Sequence, residues 1–156
     1  KRSSAASDVY KRQAYKGIPL ATALALANAD HGHDIPFAYN RKEAKDHGEG
    51  GVLVGAAVQG RVVIIDDVIT AGTAIRQSVE QIQAQGAQPV AALIALDRQE
   101  KGASELSAVQ QVEQDFSLQV VAIATVTDFI DYLEEKMPDS PTIGAILDYQ
   151  RSYGLG

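Results

Sequence analysis

Cysteine is absent from the 156 residues, which excludes disulfides and cysteine-ligated zinc or iron–sulfur sites. Long apolar runs are absent too. The longest, residues 62–65, 90–96 and 120–124, are strand-sized and far short of the roughly 20 residues that a membrane-spanning helix needs. No Gly-x-x-x-x-Gly-Lys-Ser/Thr occurs, so a P-loop is excluded. No Gly-x-Gly-x-x-Gly follows a strand, and a dinucleotide-binding Rossmann site has no support. Positive charge is scarce, with 14 Lys and Arg against 20 Asp and Glu and a net charge of −6. A pI near 5.0 argues against a broadly basic nucleic-acid surface. Methionine occurs once, at Met137, so Lys1 is not expected to be a natural initiation residue.

What remains is ordinary for a soluble globular domain: 46% apolar and 22% charged residues, and enough chain for one domain with a sizeable core. A cytoplasmic setting is expected. Residues 1–13 are rich in Ser, Ala, Lys and Arg and have no clear period. They could be a targeting segment, foreign sequence or a disordered tail; the reading adopted is a disordered or foreign tail, with the domain proper spanning 14–156.

From there helix and strand patterns alternate. Residues 17–29 read as a helix, with Pro19 in its first turn and an apolar surface nearly all round that predicts burial. Residues 35–39 and 52–54 read as short strands. Residues 62–65 (Val-Val-Ile-Ile) are four β-branched residues in a row, as in a strand buried on both faces. Ile75, Val79 and Ile82 recur at helical spacing over 74–85, and Gly86 can end that helix. Residues 90–96 and 120–124 are further buried strands. Leu106, Val109, Val112 and Phe116 mark a helix between them, 129–136 is helical, and Ser140–Pro141 opens a terminal helix reaching Tyr153. The alternation predicts an α/β fold, a parallel sheet flanked by helices.

Asp66 and Asp67 stand at the carboxyl end of the 62–65 strand, where open parallel sheets bind ligands. The turn that follows leads into a helix. Gly72 allows close backbone approach, Thr70 and Thr73 add hydroxyls, and free N–H groups with the helix dipole favour a phosphate. Two carboxylates beside a phosphate could hold sugar hydroxyls or hydrated magnesium. A capped helix after a buried strand accounts for Thr73 but not for two acids at the strand mouth.

The run from Val63 to Ala74 is similar to the phosphoribosyl-pyrophosphate (PRPP) signature of type I phosphoribosyltransferases. The resemblance implies that Asp66 and Asp67 engage the ribose hydroxyls, and that Val68, Ile69, Thr70, Ala71, Gly72, Thr73 and Ala74 form the phosphate loop. A second segment narrows the family. Arg41, Lys42, Lys45 and His47 fall within seven positions of an otherwise acidic chain, and Gly48, Gly50 and Gly51 favour mobility. A charge run is usually a solvated surface. Mobile cations, however, suit a departing pyrophosphate, because they can close over it and exclude water. This segment resembles the flexible loop of orotate phosphoribosyltransferases. By that resemblance Lys45 is the leading electrostatic residue, His47 contacts pyrophosphate, and residues 41–51 reach the active site of a homodimer partner.

Residues 14–17 (Ala-Tyr-Lys-Gly) resemble the same family's pyrophosphate-loop segment, with Tyr15 and Lys16 contacting PRPP. Arg98, in a Leu-Asp-Arg context, would pair with the orotate carboxylate as a planar guanidinium can, and Thr70 would add a contact to orotate. Magnesium would be held mainly by PRPP, with Asp66 and Asp67 acting at most through water. His31 and His33 read as a solvated turn rather than a metal site. The family carries further sequence before the Tyr-Lys-Gly segment. The expectation is therefore a type I phosphoribosyltransferase-like core lacking its N-terminal hood and first strand, with an unpaired strand edge and impaired stability and activity. The alternatives are a phosphoribosyltransferase for another base, against which residues 41–51 and Arg98 argue, and a non-catalytic nucleotide-sensing regulator of the same fold.

Overall fold

In chain order the elements are β1 (Val9–Arg12), α1 (Ile18–Asp30), β2 (Phe37–Asn40), β3 (Leu53–Gly55), β4 (Arg61–Asp66), α2 (Thr73–Ala84), β5 (Gln88–Asp97), α3 (Ala108–Phe116), β6 (Gln119–Thr125), α4 (Val126–Lys136) and α5 (Pro141–Tyr153). They come from a computed structural model that describes residues 9–12, 16–40, 53–102 and 105–155. The six strands form one sheet in the order β3-β2-β1-β4-β5-β6. All neighbours are parallel except β2 and β3.

Strand periodicity splits the β-branched run of β4 between two cores. Val62 and Ile64 face one side with Ala92 and Ile94 of β5. There Ile75, Val79 and Ile82 of α2 and Val112 of α3 close over them. Ile65 faces the other side, against Ala21 of α1, with Leu20, Leu24, Val63 and Leu93 packed around the pair. Complete burial of an isoleucine contributes about 1.5–3 kcal/mol, so Ile64, Ile75, Ile82 and Ile94, each at most 1% exposed, anchor the first side.

Local signals set the helix ends. The Ser107 hydroxyl accepts the Gln110 N–H while the Gln110 side chain accepts the Ser107 N–H, and Thr125 and Asp128 repeat this reciprocal cap at the start of α4. Gly86, at φ 74°, supplies the left-handed residue after α2. Gly55, at φ 108°, passes so close to β2 that a Cβ would lie 2.5 Å from the Phe37 carbonyl oxygen.

The parallel α/β architecture expected from the alternation is present. Two expectations are corrected. Residues 9–12, assigned to a tail, form β1 in the middle of the sheet, hydrogen-bonded in parallel register to both β2 and β4. The expected unpaired edge between those strands is therefore filled. Val-Tyr-Lys-Arg carries no apolar run to announce this; backbone N–H and C=O groups, which every residue has, make the ladder. The second correction concerns α1. Of its residues only Ala21 is buried, and Leu26 is 64% exposed. The helix lies on one side of the sheet with no further layer over its outer surface among the described residues, so an apolar circumference does not produce burial all round.

Candidate active site

Two of the loops at the carboxyl edge of the parallel sheet follow β4 and β5. The first begins with Asp66, 7% exposed, at the last position of β4. Its Oδ1 accepts the Asp67 N–H at 2.8 Å. The Asp67 carbonyl accepts the N–H groups of Ala95 and Leu96, both at 3.0 Å, which ties the loop to β5. Asp67 is more open, and its Oδ2 lies 3.3 Å from Lys16 Nζ. Partial burial pushes the Asp67 carboxyl up. A hydrogen bond shared with Asp66, the Lys16 ammonium and the Val68 N–H outweigh it, and the net shift is below the ordinary 3.8. Asp67 is thus an anion at neutral pH, and Lys16 is a largely exposed cation beside it.

Ile69, 5% exposed, pins the middle of the loop into the core, while Thr70, Ala71 and Thr73 stay exposed. Gly72 is the N-cap of α2 at φ 70°, a conformation that costs other L-residues about 1–2 kcal/mol. A Cβ there would also meet Val112 Cγ2 at 2.9 Å. Gly72 offers no capping side chain, so the first-turn N–H groups of α2 are left for a ligand. Val68, Ile69, Thr70, Gly72, Thr73 and Ala74 line a depression of about 280 Å³ at this helix start. The arrangement suits an anionic phosphate flanked by hydroxyl-binding carboxylates.

The second loop carries Arg98. Its Nη2 donates to Glu100 Oε2 at 2.8 Å, and its Nε is buried with no partner among the described residues. A cleft of about 600 Å³ lies between the two loops, lined by Thr70, Ala71 and Gly72 on one side and Glu100, Lys101 and Gly102 on the other. Thr70 thus faces the cleft and the phosphate depression alike. Arg98 does not line the cleft; its partner Glu100 does. Glu100 escaped the sequence reading, although its position two residues after Arg98 is a visible charge pair. Tyr149, whose hydroxyl donates to Glu100 Oε1, had no local signal. Arg76, at the cleft wall, pairs with Asp115 at 3.0 Å and stacks over Phe116.

Among the predicted site residues, the fold brings Lys16, Asp66, Asp67 and the 68–74 turn together, with Arg98 on the neighbouring loop. Tyr15, Arg41, Lys42, Lys45 and His47 lie outside the described residues. His31 and His33 sit exposed in the turn that closes α1.

No protein-family model matches the sequence. Curated relatives do. The chain is 56% identical over 150 residues to the orotate phosphoribosyltransferase of Vibrio vulnificus strain YJ016, covering 95% of this chain and 70% of that protein. It is 57% identical over 143 residues to the enzyme of the same name from Escherichia coli O139:H28, covering 91% and 67%. Among solved structures it resembles the crystal structure of orotate phosphoribosyltransferase from Francisella tularensis, with a TM-score of 0.77, 34% identity, and coverage of 97% of this chain and 72% of that one.

Proposed function

The chain belongs to the orotate phosphoribosyltransferase family, and we infer that it transfers the phosphoribosyl group of PRPP to orotate, giving orotidine 5′-monophosphate and pyrophosphate in pyrimidine biosynthesis. The observation that carries the reading at residue level is the Asp66–Asp67–Lys16 cluster beside the uncapped start of α2. In the reaction the bond from the ribose anomeric carbon to pyrophosphate breaks, and a bond from that carbon to a ring nitrogen of orotate forms as that nitrogen gives up its proton to solvent. The sugar carries positive charge between the two events, and the leaving group gains negative charge.

The chain's residues take roles that follow from this charge flow. Asp66 and Asp67 hold the ribose hydroxyls and favour the cationic sugar electrostatically. The turn from Val68 to Ala74 grips the 5-phosphate with N–H groups and the Thr70 and Thr73 hydroxyls. Tyr15 and Lys16 contact PRPP; the exposure of Lys16 lets it exchange Asp67 for a phosphate oxygen. Arg41, Lys42, Lys45 and His47 close over the pyrophosphate, with Lys45 the main source of transition-state stabilisation. Arg98 and Thr70 orient orotate. Two copies would complete each site, residues 41–51 of one reaching into the other, in a cytoplasmic homodimer.

Magnesium fits this site as a PRPP-borne ion. Among the described residues no three Asp, Glu, His or Cys side chains gather into a cage. Asp66 and Asp67 would help hold a hydrated magnesium brought in by pyrophosphate, in keeping with that ion's preference for water and phosphate oxygens. When bound it would neutralise charge on the leaving pyrophosphate.

Loss of orotate absorbance on mixing the protein with orotate, PRPP and magnesium tests the function. Turnover is expected in the unaltered chain, and Lys45→Ala should reduce it by about 10²–10³-fold, as removal of a transition-state electrostatic contact does. A folded chain that consumes no orotate, or an unaffected Lys45→Ala variant, would refute the reading.

A further inference from the structure

The 98–102 segment is held by the distant C-terminal helix. Gln150 Nε2 donates to the Arg98 carbonyl at 2.8 Å. The Lys101 N–H donates to the Tyr153 carbonyl at 2.8 Å, and Glu100 forms a bridge with Gly154. The two carboxylate oxygens of Glu100 are divided: Oε2 accepts from Arg98 Nη2 and Oε1 from the Tyr149 hydroxyl. Tyr149 in turn packs against Tyr153, with ring centroids 4.8 Å apart and the planes tilted by 40°. Gln99, at φ 53°, sits in the left-handed region, and its side chain accepts from the Thr127 N–H and hydroxyl of α4. Left-handed backbone at a non-glycine residue persists only where its surroundings over-determine it.

We propose that α5 is a brace for recognition of the acceptor base, with two positioning residues: Tyr149 sets Glu100 and, through it, the plane of the Arg98 guanidinium, and Gln150 fixes the Arg98 backbone. The proposal rests on the reading of Arg98 as the contact to the orotate carboxylate. A free arginine loses much rotamer freedom when it grips a carboxylate; one already fixed loses less, and the difference appears as affinity. Glu100 engages Nη2, and the Arg98 side chain is 34% exposed, so guanidinium N–H groups other than the buried Nε remain for a planar anion. None of these contacts touches the Asp66–Thr73 side of the site. The brace therefore acts on the affinity for orotate and leaves PRPP binding and the bond-breaking step alone.

The test uses the full chain with Tyr149→Phe and Gln150→Ala. Each should raise the KM for orotate about five- to tenfold, the size expected for loss of one hydrogen bond in a binding array. kcat and the KM for PRPP should stay within about twofold. Hydrogen exchange at the Lys101 amide should speed up in both variants. In a Glu100→Gln background, Tyr149→Phe should add little, because the path through Glu100 is already cut. A change in kcat and both KM values together would mark a general structural role and overturn the proposal, as would unchanged orotate KM with faster exchange, or additive effects of the two substitutions. A wild-type protein with no orotate turnover sinks the enzymatic reading, a separate result, while the exchange rates still decide whether the brace exists.

Discussion

The loops after β4 and after β5 leave the same sheet edge side by side, yet they are held by different means. The first is closed by its own backbone and its immediate neighbours. Asp66 accepts the next N–H, the Asp67 carbonyl spans to Ala95 and Leu96, Ile69 plugs the core and Gly72 turns into α2. The second also has local bonds, from the Gln99 N–H to Asp97 and from the Ala108 N–H to the Glu100 carbonyl, but its charged residues are held by groups about fifty positions away, Tyr149, Gln150 and Tyr153. The difference follows the ligand each would serve. A phosphate is gripped by N–H groups, which a short turn can present unaided. A planar carboxylate is gripped by a long side chain whose orientation must be supplied from elsewhere.

Asp66→Asn probes the first loop most sharply. The amide keeps an oxygen for the Asp67 N–H but removes the charge, so kcat/KM should fall about 10- to 100-fold, the worth of a hydrogen bond to a charged group. The melting temperature should barely move, and a large loss of stability would mean that the carboxylate is structural. Gly72→Ala comes next. Left-handed strain and the contact with Val112 Cγ2 should cost about 1–2 kcal/mol in urea unfolding, and the KM for PRPP should rise more than that for orotate. Equal rises would erase the division between the loops.

Gly154→Ala attacks the second loop from its far end. A Cβ would lie 2.6 Å from the Gln150 carbonyl oxygen, so the end of α5 must shift, at about 1 kcal/mol. The KM for orotate should rise while that for PRPP holds; the reverse pattern in steady-state kinetics would break the comparison. A small effect on stability is expected from Asp67→Asn. The Lys16 pair is solvent-exposed, and at pH 7 the loss should be under about 1 kcal/mol. The Asp67 carboxyl is depressed below its ordinary 3.8. Its contribution is therefore complete above that value and disappears as pH falls through the lower, folded-state value. Thermal melts of the two proteins should converge in acid; convergence at neutral pH instead would contradict the assignment.

Much of the molecule can be read from the chain, and the reasons are particular. The apolar runs 62–65, 90–96 and 120–124 all lie in strands, and Gly86, Ser140 and Pro141 mark helix ends where expected. Strand starts at residues 35 and 52 were misplaced by one or two positions, since backbone pairing and not side-chain pattern sets where a ladder begins. Asp66, Asp67 and the turn to Thr73 were legible because their signal is contiguous. β1 was not, because its place between β2 and β4 depends on partners 27 and 53 residues away and on no apolar pattern of its own.

From its residues in order, the chain sets the alternation of strands and helices, the exclusion of disulfides, and the acid-rich mouth followed by a glycine turn. These depend on side-chain period and on neighbours in sequence. Folding in three dimensions settles the rest: β1 at the centre of the sheet, the exposed outer surface of α1, the Lys16–Asp67 pair, and the attachment of Glu100 to Tyr149. The strand order and the two side-chain pairs join groups far apart in the chain, and only packing against a common sheet brings them within reach; the exposure of α1 depends on what that packing leaves uncovered.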